Sequence, residues 1–157
     1  MATNRFLIAG GVLSGAAALL HVVVIVGGPD WYRFFGAGEQ MARMAEAGHW
    51  YPVVTTLGIS AVLAIWAAYA FSGAGLIPRL PLLRTGLVVI SLVYLMRGLV
   101  LIPAVLINPQ GIAGLNAFTW WSSLIVLGYG LAYATGTWLG WRAMAPDQAA
   151  KRPPLAA

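Results

Sequence analysis

The chain has no cysteine, so disulfides, thiolate metal sites and thiol nucleophiles are all excluded. Charge is almost as scarce. Only 8% of the 157 residues are Asp, Glu, Lys or Arg, against about 25% in an ordinary soluble domain. A chain so poor in charge cannot cover a water-facing surface. There are four acids and two histidines, and no P-loop, GxSxG or dinucleotide fingerprint. Most of what remains is apolar: 61% of residues are hydrophobic, and the mean hydropathy is +0.83. Lipid is the natural solvent for such a chain. The net charge of +5 and pI near 10.1 would suggest nucleic acid in a soluble protein. Here the basic residues flank apolar runs, so the bilayer is the expected partner and nucleic acid is not.

A membrane helix needs roughly 20 apolar residues, and four stretches qualify: 6–28, 51–72, 85–107 and 118–141. Turn chemistry separates them, at Gly28-Pro29, at Ser72-Gly73 with Pro78 and Pro81, and at Asn108-Pro109. The expected fold is all-α, a single domain over residues 1–145 with four transmembrane helices in an antiparallel bundle. A polar, proline-rich tail, 146–157, is expected to be disordered and cytoplasmic. The first apolar run continues past "SGAAA" to Val26, longer than a signal peptide's core, and reads as an uncleaved helix. Arg5, Arg79, Arg84, Arg142, Lys151 and Arg152 fall on one side, and only Arg33 and Arg43 on the other. The positive-inside rule then places both termini in the cytoplasm of a bacterial inner membrane. Gly11 and Gly15 form a GxxxG pair, and Ala132, Gly136 and Gly140 a row of small residues. Both suit close helix packing or a homodimer seam.

Polar chemistry gathers in "GGPDWYRFFGAGEQMARMAEAGHWYP", residues 27–52, which holds Asp30, Glu39, Glu46 and His49. Asp30 reads as a helix N-cap, "WYRFF" as an aromatic turn, and "EQMARMAEAG" as a short amphipathic helix. In that helix Glu39 and Arg43 stand at i,i+4, Arg43 and Glu46 at i,i+3, and Gly48 is the stop. Such a segment lies in the interface or folds back as a lid.

Arg97 sits near the middle of the third run, roughly 15 to 18 Å from either end. A cation at that depth costs on the order of 2.5 to 3.5 kcal/mol, faces the bundle interior and needs a partner. No acid lies in any run. Glu39 is the expected partner, dipping inward on the Gly36-Ala37-Gly38 hinge; backbone carbonyls, water or a bound anion are the others. Ser14, Ala18 and His21 share one stripe of the first helix. His21, His49, Glu39, Asp30 and Arg97 are expected to converge in the outer half, with Tyr94 one turn from Arg97.

Metal at His21, His49 and Glu39 would draw on three segments with no motif spacing such as HxxxH. Haem between the two histidines would need matching depths on facing helices. No cofactor is expected. The expected function is binding of an amphiphilic or anionic small molecule, a lipid, quinone or isoprenoid, in a pocket open to the periplasm. Two other readings stay open: an enzyme using His/Glu acid–base chemistry on a lipid-like substrate, and an accessory subunit of a larger membrane complex.

The run "GGPDWYRFFGAGEQMARMAE", with "LPLLR" and "YLMRGL", resembles small bacterial four-helix inner-membrane proteins that have no assigned activity. The length and four runs are also similar in architecture to sterol-isomerase-like and sigma-2-receptor-like bundles. Those families place acids inside their spans, and this chain has none there.

Overall fold

A computed structural model describes residues 4–100, 102, 106 and 117–145. Among them every regular element is helical. The helices are α1 (Arg5–Gly27), α2 (Pro29–Phe34), α3 (Glu39–Glu46), α4 (Trp50–Gly73), α5 (Leu83–Leu99) and α6 (Ala117–Gly140). Two of them, α1 and α4, are long and apolar enough to cross a membrane. In α5, 17 residues are helical. The 108–117 loop and the tail lie outside the described residues, except Ala117, which opens α6.

Local chemistry sets the ends. Asn4 caps α1, its Oδ1 accepting from the Leu7 N–H at 3.2 Å, as capping requires. Its Nδ2 donates to the Gly136 carbonyl at 2.7 Å, so the same side chain ties α1 to α6. Gly28 ends α1 in the left-handed region, φ 72°, and Pro29 opens α2 at once. Proline favours the first helical position, where its missing N–H is no loss. That makes Gly28 the cap and moves Asp30, expected as N-cap, into the first turn. Here its charge still favours the helix N-terminus. The expected aromatic turn is thus a six-residue helix. Positive φ at Gly36 and Gly38 then folds the chain into α3, and Gly48, φ 68°, follows its end as expected. His49 caps α4, its Nδ1 accepting from the Tyr51 N–H at 3.2 Å.

Helix α1 packs along α4 and α6, and α5 along α6 and α4. Glycines make the close approaches. A Cβ on Gly11 would lie 2.7 Å from the Phe71 ring, one on Gly136 2.7 Å from Leu7, and one on Gly98 2.6 Å from the Leu127 Cα. Gly15, the other half of the GxxxG pair, has open space around it. Leu7, Ala70, Leu83, Leu87, Ile90, Tyr94, Tyr133 and Met144 form one buried cluster. A second, smaller one joins Val24, Tyr32 and Ala42 where α2 and α3 close one end. At the other end Arg84 donates to the Trp141 carbonyl and lies 4.7 Å from its ring centroid. Arg79 donates to the carbonyls of Met144 and Ala145. Cations there satisfy carbonyls that follow the C-terminus of α6.

Candidate functional site

The polar side chains form three separate groups. The first lies on the surface of the α2–α3 cap. Arg33 donates from Nε to Glu39 at 2.9 Å and from Nη2 to Glu46 at 2.8 Å, and meets Asp30 at 3.3 Å. Arg43 adds a second cation on Glu39 at 3.1 Å. The expected i,i+4 pair is there, but Arg33 is the hub. It gathers three carboxylates because the Gly36 and Gly38 turns fold α3 back beside α2. Tyr32 is buried beneath, and its hydroxyl accepts from Thr56 of α4 at 3.2 Å.

Arg33, then Arg43, hold the Glu39 carboxyl down from the ordinary 4.5 to about 2, and the bonds to Glu39, then Glu46, raise the Arg33 guanidinium. A carboxylate with a depressed pKa stabilises the fold above its unfolded value. That contribution is lost as pH falls from about 4.5 through about 2. In a carboxyl-carbon NMR titration Glu39 is therefore expected to turn over near pH 2, and Arg33→Ala to move the midpoint up toward about 4.3. An unshifted midpoint in the variant would show that Arg33 does not hold it.

The second group is a hydroxyl chain through the core. Tyr133 donates to the Trp66 carbonyl at 3.0 Å. Ser14 Oγ lies 2.9 Å from the Tyr133 and Tyr94 hydroxyls. Each hydroxyl has one proton, so the direction is fixed: Tyr94 donates to Ser14, Ser14 to Tyr133, and Tyr133 to Trp66. The chain touches α5, α1, α6 and α4 in turn. Ser14 and Ala18 are buried as their stripe implies. Tyr94 is buried too, edge-on to Trp66 at 4.8 Å and Tyr129 at 5.4 Å. Tyr94, Tyr133, Trp66 and Tyr129 pack around the hydroxyl chain.

The third group is Arg97 with Ser123, its Nη1 donating to the buried Ser123 Oγ at 3.1 Å. Three expectations about Arg97 are corrected here. The residue is exposed beside α6 and does not face the interior. It does not pair with Glu39, which Arg33 and Arg43 occupy. Nor do the six expected residues converge. His49 is exposed, capping α4 and stacking on Trp50. His21 is half-buried, its Nδ1 2.7 Å from the Ala17 carbonyl one turn back, so that ring nitrogen donates. Asp30 and Glu39 belong to the cap, and Tyr94 to the hydroxyl chain.

Among the described residues, no group of three or more His, Asp or Glu side chains is placed so that it could hold a metal ion. Two hollows open on the cap: one of about 470 Å³ beside Glu39, Gln40, Arg43, Met44, Ala47 and His49, and one of about 400 Å³ lined by Asp30, Trp31, Phe34 and Phe35. Tyr133 and Arg33 are the central residues that sequence spacing misses. Each owes its place to contacts between helices, and only its polarity within an apolar or short segment could have marked it. No protein-family model, curated protein or solved structure matches the chain.

Proposed function

We propose that the protein is a multi-pass protein of a bacterial inner membrane, with four helices crossing in alternate directions and both termini cytoplasmic. We propose further that it binds an anionic amphiphile, a lipid, quinone or isoprenoid type of molecule, at Arg97 on the periplasmic half. The pairings Gly11–Phe71, Leu7–Gly136, Tyr69–Gly86 and Gly98–Leu127 support the alternating directions. The basic flanks support the orientation. Exposed Val12, Leu19, Val26, Val54, Ile65, Leu92 and Leu124 supply the lipid-facing surface.

The observation that carries the ligand reading is the state of Arg97. The residue is exposed amid exposed Val93, Met96 and Val100. Its described partner, Ser123, is neutral. Asp30, Glu39 and Glu46 are committed to Arg33 and Arg43. Opposite Leu127, the Arg97 backbone lies about 15 Å below the start of α6, while Ser123 lies about 9 Å below it. The side chain reaches toward the periplasmic end, as a snorkelling cation does. A lipid-borne anion that meets it along the α5–α6 seam would supply the missing charge and a charge-assisted hydrogen bond.

Native mass spectrometry of the protein in mild detergent tests this. A discrete bound mass is expected on the wild type, with occupancy at least about tenfold lower in Arg97→Ala, the worth of one charged hydrogen bond. Because Arg97 is exposed, the variant should keep its thermal midpoint. Equal ligand content in both proteins would refute the reading. So would a bare chain that carries other proteins through purification, which would make the Arg97 seam an interface.

A further inference from the structure

The hollow at Asp30, Trp31, Phe34 and Phe35 is a different site with the opposite charge preference. Three of its four lining residues are aromatic, and the fourth is a carboxylate. Its volume of about 400 Å³ is within the usual range for small-molecule sites. The rings are held in place from behind. Trp31 packs against Gly27, where a Cβ would come within 2.2 Å of the indole. Phe35 meets Phe34 edge-on at 5.0 Å and Phe118 of α6 at 5.9 Å. Phe34 is left 73% exposed and Trp31 40% exposed, so part of each side chain is accessible to a ligand.

The charge beside these rings is not balanced. Three carboxylates share two guanidiniums, leaving one net negative charge on the cap. Glu39 and Glu46 take the short contacts to Arg33, at 2.9 and 2.8 Å. Asp30 takes the long one, 3.3 Å, with its side chain 94% exposed. Asp30 is thus the least tightly paired of the three carboxylates, at the rim of the aromatic hollow. Arg33 itself is drawn toward α3 and does not line the hollow. Aromatic faces with an adjacent carboxylate favour a cation whose positive charge is spread over alkyl groups. Such a ligand gains from ring quadrupole and carboxylate together, and loses little hydration.

We infer that the Asp30–Trp31–Phe34–Phe35 hollow binds a quaternary ammonium group of the choline type. The group could come from a phospholipid headgroup, since the cap sits at headgroup level in the proposed orientation, or from a free solute. The site is independent of Arg97 in both residues and charge.

The test is a saturation-transfer NMR titration of the full-length protein in maltoside micelles, which contain no ammonium groups. The probes are choline and its uncharged isostere 3,3-dimethyl-1-butanol. Choline is expected to bind saturably and the isostere at least about fivefold more weakly, the span of a cation–π contact. Trp31→Leu should weaken choline by about fivefold and Asp30→Asn by about threefold. Phe34→Leu, at a position too exposed to affect folding, should weaken it as well. Equal binding of choline and the isostere would overturn the inference, leaving the rings as ordinary interfacial anchors. Choline binding unchanged in all three variants would overturn it too. Displacement of choline by nanodisc phosphatidylcholine would identify the headgroup as the source, and saturable binding without displacement would identify a free solute. Neither result depends on whether Arg97 holds an anion.

Discussion

Gly98→Val is expected to cost about 3 kcal/mol or more of stability and to part α5 from α6, while Gly15→Val costs less than about 1 kcal/mol. A Cβ on Gly98 would lie 2.6 Å from the Leu127 Cα and 2.7 Å from its backbone nitrogen. A backbone cannot rotate aside as a side chain does, so the helices must separate. Overpacking a core usually costs about 1 to 3 kcal/mol, and a clash with main chain belongs at the top of that range. Separation would also loosen the neighbouring contact, where Leu95 fills the space over Gly130. Gly15 has nothing within 4 Å and retains room for a branched side chain. Thermal unfolding of both variants in the same detergent checks the pair. Equal midpoints would mean that the α5–α6 approach is looser than its geometry.

That contrast shows what the sequence could and could not reveal. The GxxxG spacing marks Gly11 and Gly15 on one face, and Gly11 does meet Phe71. Spacing cannot say which glycine has a helix opposite it, and Gly98, with no small-residue partner four positions away, gives no signal. The long apolar runs are legible because breaks of Gly, Pro and polar residues set them apart, and α1, α4 and α6 begin and end within a residue or two of those runs. The stripe of Ser14 and Ala18 is legible because polar and small residues stand out against Leu and Val. The facing of Arg97 is not, because α5 is apolar all round and offers no amphipathic stripe to orient it. The cap divides in the same way. Glu39 and Arg43 are neighbours by helical spacing, whereas Arg33 reaches Glu39 and Glu46 only after two glycines with positive φ reverse the chain. Asp30 stands two positions past the cap, which is Gly28, because Pro29 claims the first helical position.

Tyr133→Ala is expected to have the largest effect of any single substitution in the core, a loss of about 3 to 5 kcal/mol. Tyr133 is fully buried and fills the space against Gly10, whose Cβ position is 2.8 Å from the ring. Truncation leaves a cavity among four helices and leaves Ser14 with one of its two hydroxyl partners. Tyr133→Phe separates the two contributions. It keeps the ring and removes only the link between Ser14 and the Trp66 carbonyl. Ser14 then carries a proton with no acceptor on that side, a loss of about 1 to 3 kcal/mol. Ser14→Ala removes the middle of the chain and leaves the Tyr94 hydroxyl without its acceptor. The double variant Ser14→Ala with Tyr133→Phe should therefore cost less than the two single losses added together, as groups within one network do. Strict additivity in the unfolding midpoints would mean that the three hydroxyls do not act as one chain. The hydroxyl chain joins four helices and the glycines let their backbones approach closely, which are the two kinds of contact that hold apolar helices together where lipid supplies no hydrophobic drive.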